Sequence, residues 1–187
     1  MQKALCLALF FSTSLCIAAQ NPCSGNDETA LRSAHLSVPV RNDILMVIEK
    51  ELKDLDPEVA EPRKLALTSW VSCLELARSG PPAILVTSGP DHPATGATGN
   101  HELWLFRKVG SNAELILRDG GATYGPTSMT YHNGMRDFKT WGTMGGGQGG
   151  GEVFRFDGRR YLPLYCYKTS TIDGKLNEGA PEPCNAT

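Results

Sequence analysis

The sequence predicts an α+β domain in which an N-terminal helix packs on a twisted antiparallel sheet or a small sandwich of two imperfect repeat units. Three observations carry that reading. Nineteen of the twenty glycines lie after residue 79 and eleven of the fourteen aromatic residues after residue 103, so the chain changes character near Ser79. The apolar positions Ile44, Leu45, Val47, Ile48, Leu52 and Leu55 follow helical spacing. Short apolar segments further on are separated by glycine-bearing turns, as in hairpins. With 187 residues, 41% hydrophobic and 20% charged, the composition is that of a globular chain and excludes disorder, collagen and a long coiled coil.

Residues 1 to 19 carry one positive charge, then an apolar run from Ala4 to Phe11 and a small, polar stretch ending at Ala19, the layout of a secretory signal peptide. The apolar run is shorter than the ~20 residues needed to cross hydrocarbon. Cys16 and Cys23 follow Leu15 and Pro22 rather than a small residue, which disfavours lipid attachment. The expected mature chain is one exported domain, 20–187, secreted or periplasmic, with no membrane span once the signal is removed. It divides into a helical part over about 40–64, a β-rich part over about 65–168 and a C-terminal tail, 169–187.

Within the helical part, Asn42 or Asp43 is available as cap and Asp56-Pro57 as stop, with Glu49, Lys50, Lys53 and Asp54 on the solvated face. Leu65 to Leu74 is ambiguous between helix and strand. Ala83 to Val86 reads as a short buried strand bounded by Pro82 and Ser88-Gly89. Glu102 to Arg107 and Ala113 to Leu117 flank Gly110-Ser111-Asn112 as a hairpin. Gly151 to Phe156 and Arg160 to Leu164 flank Asp157-Gly158, a stronger hairpin signal because Asp-Gly supplies the positive φ a tight turn needs.

Four cysteines follow the signal: Cys23, Cys73, Cys166 and Cys184. An even number in an exported chain argues for two disulfides, and four cysteines allow three pairings. Cys166 with Cys184 is preferred because they bracket a polar tail with little apolar surface to hold it down; Cys23 with Cys73 then remains. The formal net charge of -2 and the lack of a basic run argue against nucleic acid as partner.

Gly80 to Val86 can be laid over Gly134 to Thr140, and each precedes a glycine-bearing loop and an acidic-led strand, Glu102 to Phe106 and Glu152 to Phe156. The segments Glu75 to Val86 and His132-Asn133-Gly134-Met135-Arg136-Asp137-Phe138 overlap these two copies. Both segments resemble degenerate FG-GAP/VCBS-type repeats. The chain also resembles secreted bacterial proteins of no assigned activity that end in Phe-Asp-Gly-x-x-Tyr, here Phe156 to Tyr161, followed by Cys166-Tyr167. In the repeat family the turn acids bind calcium; Ala77 and Ser79 stand where ligands would be, and the second copy offers only Asn133 and Asp137, so this resemblance implies a fold without its metal. No cofactor is expected.

The run Gly145 to Gly151 contains G-x-G-x-x-G but is followed by a strand-like segment instead of a helix, so it reads as a flexible connection whose tip could meet a partner. His35, His92, His101 and His132 show no zinc spacing. Tyr124, Tyr131, Trp141, Tyr165 and Tyr167 sit near loops and could form a contact surface. The expected function is a non-catalytic binding or envelope-associated module for a protein or carbohydrate, a protein inhibitor being one version. Its candidate contact residues are Tyr131, Trp141, Gly145, Gly147, Gln148 and Gly150. The alternative is a small secreted hydrolase using Asp137, Glu152 and His132.

Overall fold

The computed structural model describes residues 29–89, 92, 93, 95, 99–172 and 175–184, with only the backbone for Ser128 and Ile172. The predicted signal segment and Cys23 lie outside the described residues. Helix α1 spans Val38–Leu55, five residues earlier than the cap at Asn42 implied, because Pro39 sits in the first turn, where its missing N–H costs nothing. Its buried face is Val40, Ile44, Leu45, Ile48, Glu51 and Leu52, and the Asp56 N–H bonds back to Leu52 O before Pro57 ends it. The ambiguous segment splits: α2 is Pro62–Ala66, Thr68 Oγ1 closes it by donating to Leu65 O at 2.7 Å, and strand β2 is Trp70–Leu74.

Two five-stranded antiparallel sheets follow. The first runs in the order β1 (Thr29–Ala30), β2, β3 (Ala83–Thr87), β4 (His101–Val109), β5 (Asn112–Gly121). The second runs β10 (Lys175–Glu178), β9 (Tyr161–Ile172), β8 (Gln148–Phe156), β7 (Met135–Gly145), β6 (Thr123–His132). Both predicted hairpins form, as β4–β5 and β8–β9. In the second, the Asp157 carboxylate accepts the backbone N–H of Arg159 at 2.7 Å and of Arg160 at 2.8 Å, and Gly158 takes φ 108°.

Three layers result, each interface filled by one apolar set. Ile84, Val86, Trp104 and Phe106 point towards α1, whereas Ala83, Leu85, Leu103 and Leu105 alternate away from it and pack with Phe138, Phe154, Phe156 and Tyr161 of the second sheet. Every residue of β3 is therefore buried, which accounts for its apolar run from Ala83 to Val86. The two mutually similar segments fall in different sheets, the first leading into β3 and β4 and the second into β7 and β8.

The Cys166–Cys184 disulfide forms as expected, its Cα atoms 4.9 Å apart. Cys73 is also disulfide-bonded. The tail is more ordered than its composition suggested. β9 continues to Ile172, β10 returns alongside it, and Glu182 exchanges two 2.8 Å backbone hydrogen bonds with Cys166. The glycine run also differs from expectation. Gly146 and Gly147 form the two-residue turn between β7 and β8, Gly145 to Gly147 all have positive φ, and Gly149 to Gly151 are strand residues.

Candidate functional site

On β7, Asp137, Lys139 and Trp141 alternate with the fully buried Phe138 and the buried Thr140, so they occupy the outer face of the second sheet, away from the sandwich core. Trp141 is fixed there by its Nε1–H, which donates to Thr169 Oγ1 at 2.7 Å. Tyr167 of β9 reaches across β8 and donates its hydroxyl to Thr140 O at 2.6 Å. Those two crossings explain two glycines. A Cβ at Gly149 would stand 2.6 Å from Gly142 O, 2.9 Å from Thr169 Oγ1 and 3.0 Å from Trp141 Cζ2. One at Gly151 would collide with Thr140 O and the Tyr167 hydroxyl. Lys139 Nζ lies 4.3 Å above the Tyr167 ring and pairs with Glu178 of β10. Burial, reinforced by the charge of Glu178, pushes the Tyr167 phenol well above its usual range, so it stays a donor.

Two shallow grooves flank this aromatic pair. One, of about 230 Å³, is lined by Thr123 to Pro126 of β6 with Lys139, Thr140 and Trp141. The other, of about 430 Å³, lies between the β7–β8 hairpin and the β9–β10 pair and is lined by Met144, Gln148, Gly149, Lys168, Thr169, Ser170, Asn177, Glu178 and Gly179. Of the expected contact residues, Trp141 lines the first groove and Gln148 the second. Gly145 and Gly147 shape the turn, and Gly150 is a strand residue whose added Cβ would stand 2.9 Å from Tyr167 O. Tyr131 pairs with Arg136 further along β6 and lines neither groove. Tyr167 was expected in a contact surface, whereas Lys139 and Thr169 were not anticipated; the trace the two crossings leave in the sequence is glycine at alternate positions, 149 and 151, of β8.

Of the three residues considered for hydrolysis, two meet and one does not. His132 Nδ1 lies 3.0 Å from Asp137 Oδ1. Asp137 is buried and is also gripped by Arg155, whose Nη2 is 2.8 Å from Oδ2 and whose Nε is 3.2 Å from Oδ1. That hydrogen bonding raises the Arg155 guanidinium above its ordinary value. Glu152 shares the parity of core residue Phe154 and so faces inward, on the opposite side of the sheet from Asp137.

Glu152 belongs to a different group. Asp119 of β5 accepts the Thr140 hydroxyl at 2.5 Å and so bridges the two sheets. Burial raises both carboxyls, and the charge of Asp119 adds to the rise at Glu152. The Glu152 carboxylate lies within 4.8 Å of the Cys166 and Cys184 sulfurs, but these are joined to each other and are not available as thiolate ligands. On the helix side, Glu51 accepts the Trp104 indole N–H at 2.7 Å and pairs with Arg118, which also reaches Glu102 at 3.4 Å. Burial drives His92, edge-on to Trp104 at 5.7 Å, down to about 4.

Among the described residues no helix is long and apolar enough to cross a membrane. Comparison with known proteins finds no matching family model, no similar curated protein and no similar solved structure.

Proposed function

We propose that the protein is an exported binding module that takes a neutral saccharide chain on the outer face of its second sheet, with Trp141 as the stacking residue. The observation behind this reading is the pinned indole of Trp141 on a sheet face that neither described helix covers, with grooves on both sides. A saccharide needs an aromatic surface for its C–H faces and hydrogen-bonding groups for its hydroxyls. Gln148, Thr169, Ser170 and Asn177 supply the second requirement. Export rests on the layout of residues 1 to 19 and on the Cys166–Cys184 disulfide, a bond that persists in oxidising compartments.

The test uses indole fluorescence. Trp104 is fully buried and Trp70 partly exposed, so a Trp70→Phe background leaves Trp141 as the responsive fluorophore. Titration with chito- and cello-oligosaccharides should shift its emission, and Trp141→Ala should remove the binding measured by calorimetry while leaving the melting curve cooperative. Binding unaffected by Trp141→Ala, or no response to either sugar series, would overturn the proposal.

A further inference from the structure

Six of the ten arginines belong to segments tied together at one end of the molecule. The ties are backbone contacts between turns. Arg78 N donates to Gly134 O at 2.9 Å, Arg136 N to Leu76 O at 2.9 Å, and the Asn133 side-chain amide to Phe156 O at 2.8 Å. The β8–β9 turn then carries Arg159 and Arg160, and Arg107 of β4 reaches its Gly158 O at 3.2 Å. Arg155 sits at the same end of β8. Asn133, Gly134, Gly80 and Gly158 hold positive φ, so the turns that present these side chains are sharply bent and fixed.

The acids at this end are largely engaged elsewhere. Glu114 is taken by Arg107 and Asp137 by Arg155. Asp157 turns its carboxylate onto the backbone of its own turn. Arg78, Arg159 and Arg160 are exposed, and no ion pair among the described residues includes them. On a chain of net charge -2 this is a local excess of cations, and all of them are guanidiniums, whose planar fork matches carboxylate and sulfate.

We propose that this arginine-bearing end binds an acidic polysaccharide, a chain with repeated carboxylate or sulfate groups. Three guanidiniums on two rigid turns, Arg78 on one and Arg159 with Arg160 on the other, suit repeated anionic groups along one flexible chain. A duplex nucleic acid fits less well, because the remainder of the protein carries net negative charge and would repel a long phosphate backbone. The choice of polysaccharide rests on the exported reading, but the site is independent of Trp141.

The experiment measures binding of oligogalacturonate and dextran sulfate at low ionic strength, with neutral dextran and duplex DNA alongside. Both acidic chains should bind and neutral dextran should not. Arg78→Ala/Arg159→Ala/Arg160→Ala should weaken binding about tenfold or more and flatten the dependence of log K on log salt by about three, one for each lost contact. Lys50→Ala/Lys53→Ala on α1 and Trp141→Ala should leave it unchanged. Melting curves show whether the triple variant folds, and the corresponding triple lysine variant, which keeps the charge, should recover part of the affinity. No binding to either acidic chain, equal binding by the triple alanine variant, equal loss in the α1 variant, loss caused by Trp141→Ala, or tighter binding of duplex DNA would each overturn the proposal.

Discussion

The two sheets have five strands each, but their outer faces are finished in opposite ways. The first is roofed by α1, and under that roof Glu51 is paired with both the Trp104 indole and Arg118. Among the described residues nothing roofs the second. Its aromatic side chains lie flat across glycines, their polar tips bonded to the sheet's own Thr169 and Thr140. A face left uncovered normally carries small polar side chains; here it carries an ordered tryptophan between grooves, which is why the binding reading is placed there and not on the helix side.

If the glycines are seats for aromatic rings, the largest effect on the uncovered face comes from filling one. Gly151→Ala drives its methyl into a backbone carbonyl that cannot move aside and displaces the Tyr167 hydroxyl, so stability should fall by about 3 kcal/mol or more. Gly125→Ala in the same sheet meets nothing within 4 Å and should change stability by less than about 0.5 kcal/mol. Denaturant unfolding of the two variants compares them directly; equal effects would break the account of the β8 glycines.

The covered side should answer to pH. His92 is held neutral by burial, with its pKa depressed to about 4, so the unfolded chain binds a proton that the folded one refuses. Its contribution is fully present above pH 6.5 and is lost as pH falls from 6.5 towards 4, by about 3 kcal/mol at most. Asp119 and Glu152 work in the other direction. Their raised pKa values mean that the folded state holds protons more tightly, so they favour folding as pH falls. His92→Gln should flatten the acid limb of the stability curve, and Asp119→Asn should raise stability near neutral pH while steepening the loss below it. An acid limb unchanged by His92→Gln would show that the buried imidazole does not set it.

Removing the carboxylate under the helix should cost less. Glu51→Ala leaves the buried Trp104 N–H without its acceptor and frees Arg118, which is half exposed and can return to water. A loss of about 2 kcal/mol follows, mostly from the stranded indole, and adding Trp104→Phe should make the two changes less than additive.

How much of this could be read from the sequence depends on whether the cause is local. The helical stripe from Ile44 to Leu55, the Asp157-Gly158 turn and the Cys166–Cys184 bracket are each written within a short stretch of chain, and each formed, although the helix begins earlier than Asn42. The division of the strands between two sheets is set by long-range packing, so one sheet and a sandwich stayed equally open. Glu51 is hidden for the same reason: it sits among apolar positions of α1, but its partner Trp104 is 53 residues away. Asp137 and His132 are five residues apart and meet, whereas Glu152 is separated from them by strand parity, which a single displaced residue in the register would have reversed. The arginine end is the extreme case, because no window of the chain is basic and the excess arises only when separate turns are brought together.

The smallest effect concerns the Trp141 indole itself. Trp141→Phe keeps an aromatic ring over Gly149 and removes the single hydrogen bond that the indole donates to the buried Thr169 hydroxyl. The expected cost is about 1 kcal/mol or less. Saccharide affinity should fall more than stability does, because the freed ring can turn away from the groove wall. Thr169→Val removes the same hydrogen bond from the other partner and keeps the indole, so it should reproduce the stability loss with a smaller loss of affinity. If Thr169→Val and Trp141→Phe weaken binding equally, the fixed orientation of the ring is what the ligand requires; if neither weakens it, the uncovered face is ordered for the sake of the fold alone.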